Sequence, residues 1–348
     1  MSRVRIAQVG LGYWGPNLLR NLVSLPGCQV ALCCDLDSER LARFREQYPL
    51  IHFTQDWGEL LASDVDGVVI ATPAVSHFQM TGEALRAGKH VLVEKPLAMT
   101  AAEAGALVEL AQQVGRKLMV GYTFIYNPAV RRIREYITSN TLGDVMYLYS
   151  LRLNLGRVRS DVNALWNLAP HDVSIILYLL EEVPVRVSAH GACYLRPGLE
   201  DVAFVTLEFA SGVIANIHIS WLNPLKVRQM VLVGTERMVV YDDTNKDTPL
   251  ALYDSGIVRT PEAAQSGLGH FEDYGRFQVL LRSGDVTLPK ISPEEPLKVE
   301  CRHFVECIAD GSDPLTDGLN GLHVTQVLEV AQQSLKSGGT PVALEMPR

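Results

Sequence analysis

Along the first third of the chain the apolar positions fall into short continuous runs separated by stretches of helical periodicity. The runs stand at residues 4–9, 29–34, 67–71, 90–93 and 117–120, and the helical stretches at 16–25, 38–47, 77–87 and 100–114. Short, mostly apolar runs separated by helices are the pattern of a βαβ series, whose sequential strands pair in parallel. The alternation therefore predicts an α/β domain with a doubly wound parallel sheet, whose site lies at the carboxyl ends of the strands.

After residue 121 the pattern changes. A helix at 128–138 leads to longer alternating runs at 145–153, 202–209, 213–221, 227–233 and 237–241, with turn signals at Ser211-Gly212 and Gly234-Thr235. Such runs predict an α+β domain built on an open-faced, mainly antiparallel sheet. The boundary is set so that residues 1–122 form the first domain and 123–348 the second. One face of the open sheet needs a cover, either a helix starting near Pro170 or another subunit, so a homo-oligomer (dimer or tetramer) through that face is expected. Residues 243–275 read as an irregular excursion, and helices at 294–310 and 320–337 close the chain.

Composition adds exclusions. With 348 residues, 47% hydrophobic and 20% charged, the chain has the make-up of an ordinary globular protein. A formal charge of -8 argues against nucleic acid as a partner. No apolar run reaches the length of a membrane span, and Met1-Ser2-Arg3 leads directly into a strand pattern without a signal peptide, so a cytoplasmic address is expected. The six cysteines show no metal-binding or disulfide spacing and are expected to be buried, reduced thiols, and no metal site is expected.

Gly10-Leu11-Gly12-Tyr13-Trp14-Gly15 fits GxGxxG between the first strand and first helix. There, absent side chains let backbone amides approach a pyrophosphate, and Tyr13 and Trp14 lie in the same turn. Glycines in a strand-to-helix turn can also serve packing alone. Asp35, ending the second strand, suits the adenosine ribose hydroxyls and repels a 2′-phosphate, so NAD is expected, with Arg40 partly offsetting the repulsion. Thr72 and Pro73 follow the strand at 67–71 and belong beside the cofactor, and His77 is either a contact there or an ordinary first-turn residue. Glu94-Lys95-Pro96 places an ammonium at a strand's carboxyl end, where Lys95 can stabilise negative charge on a reacting oxygen. Asn167 and His171 stand one turn apart if their helix begins before Pro170. A histidine there either exchanges a hydroxyl proton or packs as a core residue.

The glycine motif, Glu94-Lys95-Pro96 and Pro170-His171-Asp172, in this order and over this length, resemble the Gfo/Idh/MocA oxidoreductase family. The resemblance implies an NAD-binding Rossmann domain, a substrate domain, a catalytic pair at Lys95 and His171, and a cis Lys95-Pro96 peptide. Gly12-Tyr13-Trp14-Gly15-Pro16-Asn17, Asp161-Val162-Asn163-Ala164-Leu165-Trp166 and the segment 220–228 are similar to its sugar-nucleotide 3-dehydrogenase branch, which oxidises UDP-N-acetylglucosamine-derived uronic acids. Where relatives carry an aspartate one turn before the histidine, this chain has Asn167, which implies a less basic His171 with Lys95 or Asp172 sharing proton transfer. Arg157 and Arg159 are candidate partners for the substrate's anionic groups. Tyr122 and Asn127 belong either to the substrate cleft or to a domain hinge. The expected activity is hydride transfer from a ring hydroxyl carbon, C3 of a sugar or nucleotide sugar. The alternatives are an inositol-type dehydrogenase, a deoxysugar 3-ketoreductase, and a non-catalytic NAD(H)-binding regulator.

Overall fold

The structure, a computed structural model, describes residues 3–156, 158–159, 162–257 and 281–344. Their chain groups into two compact units, one of residues 1–127 and 294–329, the other of residues 128–293 and 330–348.

In the first unit the apolar runs form β1 (Val4–Val9), β2 (Cys28–Cys34), β4 (Gly67–Ile70), β5 (His90–Glu94) and β6 (Leu118–Gly121), with a short β3 (His52–Thr54). All pair in parallel in the order β3-β2-β1-β4-β5-β6. The order reverses between β1 and β4, so the crevice at that switch point opens between the loops that follow these two strands. The intervening helices are α1 (Gly15–Val23), α2 (Ser38–Gln47), α3 (Trp57–Ala62), α4 (His77–Arg86) and α5 (Ala101–Gln113). The pattern reading omits β3 and α3, of 3 and 6 residues, because both are too short to show a period.

The unit is completed from the far end of the sequence. On α8 (Pro296–Asp310), Phe304 and Val305 share one buried cluster with Ile6, Leu22 and Val30. Thr316 flanks β6, receiving the Val120 N–H at 2.8 Å on its carbonyl and donating its hydroxyl to the Val120 carbonyl at 2.7 Å. At Gly321 on α9 (Gly318–Lys336) a Cβ would come within 2.7 Å of Val120, which explains glycine there.

The second unit begins with α6 (Pro128–Thr138). Its sheet has nine strands: β7 (Val145–Leu155), β8 (Arg186–Ala192), β9 (Val202–Glu208), β10 (Ile214–Ser220), β11 (Leu222–Gly234), β12 (Met238–Asp242), β13 (Leu250–Ile257), β14 (Leu281–Thr287) and β15 (Val342–Ala343). Every neighbouring pair is antiparallel except β7 with β10. The mixed pair arises because β10 and β11, joined at Trp221, lie on either side of β7. Part of the expected excursion is ordered: β13 pairs with β12, so cross-strand bonding overrides a run rich in Asp, Ser and Gly. The rest of it, from 258, lies outside the described residues.

Helix α7 (Ala164–Leu180) lies on β7, β9 and β10. It begins six residues before Pro170, the expected start, because Asn163 caps it by accepting the Trp166 N–H at 3.0 Å. Alternation on β9 and β10 sends Ala203, Val205, Ala215 and Ile217 into the core and leaves Phe204 and Ile214 outside, 46% and 50% exposed. Phe204 stacks on His218 with ring centroids 4.2 Å apart. The cysteines are all free and, against expectation, Cys193 is exposed, since it follows the end of β8. No helix among the described residues is long and apolar enough to cross a membrane.

Candidate active site

The three glycines after β1 have different physical reasons. Gly10 takes φ +91° and a Cβ there would lie 2.5 Å from the Ala71 carbonyl oxygen, while one on Gly15 would lie 2.0 Å from the Gly10 carbonyl oxygen. These two are required by the chain's own packing. Gly12 is not, since a Cβ would meet nothing within 4 Å, so its bareness keeps open the approach of something outside the chain. Gln8, fully buried in β1, braces the loop by donating its side-chain N–H groups to the carbonyls of Gly10 (3.1 Å) and Gly15 (2.8 Å). Beyond the loop, α1 starts with Pro16, which has no N–H, in its first turn and carries no side-chain cap, while the Asn17 N–H donates to the Trp14 carbonyl at 2.9 Å. Tyr13 is 87% exposed at the rim, and Trp14 hydrogen-bonds Glu94.

Asp35 ends β2 and is buried. Its carboxylate receives the N–H of Leu11 at 2.6 Å, that of Asp37 at 2.9 Å, and Nη1 of Arg40 at 2.9 and 3.0 Å. Asp37, not Asp35, caps α2, accepting the Arg40 N–H at 3.0 Å. Asp35 is thereby held beside the glycine loop, with four protein contacts already on its carboxylate.

Across the switch point, His77 stands between two loops. Its Nδ1 lies 2.7 Å from the Pro96 carbonyl and its Nε2 lies 3.0 Å from the Thr72 carbonyl. Burial, with the neighbouring Lys95 charge, holds His77 below its usual range although the two carbonyls act the other way. It lies between the segment after β4, including Thr72 and Pro73, and Glu94-Lys95-Pro96 after β5, and as a neutral ring donates to one of the two carbonyls. Lys95 is half-buried, and the Lys95-Pro96 peptide is cis.

Behind Lys95 stands a carboxyl cluster that sequence reasoning missed. The Glu94 carboxylate lies against Gly121, where a Cβ would be 3.2 Å from it. Two residues on, Thr123 donates to Oε2 of the fully buried Glu300 at 2.8 Å, while Glu300 Oε1 has no partner among the described residues. Burial, reinforced by Glu94, pushes Glu300 well up, and burial opposed by Lys95 and Trp14 pushes Glu94 up to about 7. Tyr122 is also buried, its hydroxyl without a partner among the described residues and its phenol pushed up by burial. Asn127 is half-buried at the end of this unit's first segment.

In the second unit, α7 carries the remaining candidates. Pro170 lies inside the helix, so Asn167 and His171 stand one turn apart. Asn167 Oδ1 accepts the indole N–H of the buried Trp221 at 3.3 Å, and His171 is half-buried. Asp172 does not share proton transfer: it is 3% exposed and its oxygens are occupied by Ser150 Oγ at 2.5 Å and by Arg152 Nε and Nη2 at 2.6 and 3.2 Å. Arg159 is exposed, and Arg157 lies outside the described residues. The outlying signal for Arg152 was legible, a cation inside the apolar run 145–153. Gln8 likewise interrupts 4–9.

Fold and glycine-loop geometry define a dinucleotide-binding oxidoreductase class. Residues 4–122 match an oxidoreductase family described as having an NAD-binding Rossmann fold, and residues 130–240 match the GFO/IDH/MocA C-terminal domain. A 4-carboxy-2-hydroxymuconate-6-semialdehyde dehydrogenase of Sphingobium is 30% identical over 71% of this chain and 83% of its own. A UDP-N-acetylglucosamine 3-dehydrogenase of Acidithiobacillus ferrooxidans is 28% identical over 75% of this chain and 80% of its own. A solved structure of such an enzyme from that organism has a TM-score of 0.81 at 25% identity, covering 97% of this chain and 99% of that one. The scyllo-inositol 2-dehydrogenase (NAD(+)) of Bacillus subtilis is 25% identical over 99% of this chain and 98% of its own.

The chain belongs to the Gfo/Idh/MocA oxidoreductase family. It is an NAD-binding oxidoreductase, and its relatives include proteins named as dehydrogenases of sugars and inositols.

Proposed function

We propose that the protein oxidises a ring hydroxyl, at C3, of a nucleotide sugar of the UDP-N-acetylglucosamine type. The observation that carries the reading is the placement of Lys95 at the carboxyl end of β5, with His77 between that loop and the switch-point loop at Thr72. Bound NAD supplies a hydride acceptor at its nicotinamide ring. Gly10, Gly12, Tyr13, Trp14, Gly15, Asp35, Thr72, Pro73, His77, Glu94 and Lys95 are the residues proposed to hold it.

In this reading the Lys95 ammonium donates to the reacting oxygen and stabilises negative charge there, while His171 takes the hydroxyl proton. Asn167 steadies the imidazole, and Asn127, Arg157 and Arg159 contact the sugar and its anionic groups, while Tyr122, fully buried, is not a substrate contact. The similarity to a UDP-N-acetylglucosamine 3-dehydrogenase supports the substrate class. A second reading, an inositol dehydrogenase, is supported by a relative that matches 99% of this chain. NADH formation with UDP-N-acetylglucosamine, its uronic acid, free sugars and inositols separates the two: turnover of inositols alone overturns the nucleotide-sugar reading. Lys95→Ala and His171→Ala are each expected to lower kcat by roughly 100-fold or more.

The exposed outer face of the nine-stranded sheet, carrying Tyr147, Phe204 and Ile214, is proposed to pair with a second copy. Light scattering on the purified protein tests this, a monomer at working concentration being the contrary result.

A further inference from the structure

Asp172 follows His171 directly, and successive side chains on a helix diverge by about 100°. The Asp172 side chain is turned to the sheet, where two residues of β7 meet it. Ser150 and Arg152 are two positions apart on that strand, hence on one face, and are 1% and 7% exposed. Three hydrogen bonds, two of them from one guanidinium, fasten one carboxylate. Across the sheet Arg152 stands opposite Arg228, whose Nη1 lies 3.1 Å from Asp243, and Tyr241 donates to Asp243 at 3.2 Å. Two arginines brought together on neighbouring strands are thus each compensated by an aspartate.

A buried ion pair is poor evidence of stabilisation, since apolar residues of similar volume often serve as well. Its distinctive property is direction. Apolar contacts of α7 resist separation from the sheet but oppose rotation about the helix axis only weakly. Rotation matters here because Pro170, lacking an N–H, removes a backbone bond one residue before His171.

We infer that Asp172, Arg152 and Ser150 form a positioning clamp that sets the rotation of α7 and with it the direction of the His171 imidazole. The inference rests on the reading of His171 as catalytic, and its test does not depend on that reading. Protein labelled with carbon-13 at histidine Cε1 gives a His171 resonance, assigned by its disappearance in His171→Gln. In Arg152→Lys, and in the volume-matched double variant Asp172→Leu with Arg152→Met, that resonance is expected to shift or broaden while the other histidines stay in place. With UDP-N-acetylglucosamine or scyllo-inositol as substrate, kcat is expected to fall on the order of tenfold to a hundredfold. NADH affinity, measured by calorimetry, stays within about twofold because the cofactor residues lie in the other unit. A purely structural pair would lower the melting temperature and leave the resonance and kcat unchanged. An unmoved His171 resonance in the folded double variant overturns the clamp. Wild-type turnover by His171→Gln overturns the catalytic reading instead.

Discussion

The Arg40 guanidinium reaches both oxygens of Asp35, at 2.9 and 3.0 Å, from the first turn of the helix that follows it. With the Leu11 and Asp37 amides on the same carboxylate, about four acceptor sites are engaged before any ligand is considered. Ribose hydroxyls must therefore compete with Arg40, whose charge also tempers the repulsion Asp35 exerts on a 2′-phosphate. Arg40→Ala is expected to keep or strengthen NAD binding and to weaken NADP binding by about tenfold, read by calorimetry with both dinucleotides. Unchanged NADP affinity would remove Arg40 from cofactor choice.

Gly12 and Gly15 share a motif but should fail differently. Gly15→Ala drives a Cβ into the Gly10 carbonyl and is expected to lower the melting temperature by several degrees. Gly12→Ala should melt like the wild type yet bind NAD at least about tenfold more weakly, because the methyl group occupies space the chain leaves open. A Gly12→Ala protein with normal NAD affinity contradicts the pyrophosphate assignment.

His77 carries a pH dependence whose sign follows from its surroundings. Its folded-state value lies below the ordinary 6.5, chiefly through burial, so below that pH the unfolded chain binds a proton that the folded chain resists. Its contribution to stability is complete above pH 6.5 and is lost as the pH falls. His77→Gln should flatten the decline in melting temperature between about pH 7.5 and about pH 5.5 relative to wild type. Parallel curves for the two proteins would contradict this.

Glu94 has the opposite sign. Its folded-state value is raised from 4.5 to about 7, so stability is lost as the pH climbs through that interval. Glu94→Gln should therefore gain melting temperature over wild type at about pH 8 and little at about pH 4.5. Equal gains at both pH values would rule out the titration.

At Asn167 the acceptor oxygen is used by Trp221, and aspartate can accept the same bond. Asn167→Asp adds a negative charge one turn from His171 and should move the acidic limb of the kcat/KM profile upward by about one pH unit. A superimposable profile would show that residue 167 does not tune the imidazole.

Local requirements were legible in the chain itself. The run-and-helix alternation pointed to a parallel sheet, since sequential strands joined through helices run in the same direction. The glycine spacing, Asp35 and the order of the later motifs pointed to a dinucleotide enzyme, because backbone approach and ribose binding restrict residue types over short spans. What the tertiary structure decided is which distant groups meet. It separated Gly12 from Gly10 and Gly15, brought Glu300 to Thr123, set Ser150 and Arg152 on Asp172, and packed α8 beneath the first sheet's helices. Periodicity reports which face of an element is buried, but not against what. The partners of a buried charge are chosen by long-range packing, and spacing along the chain carries no record of them.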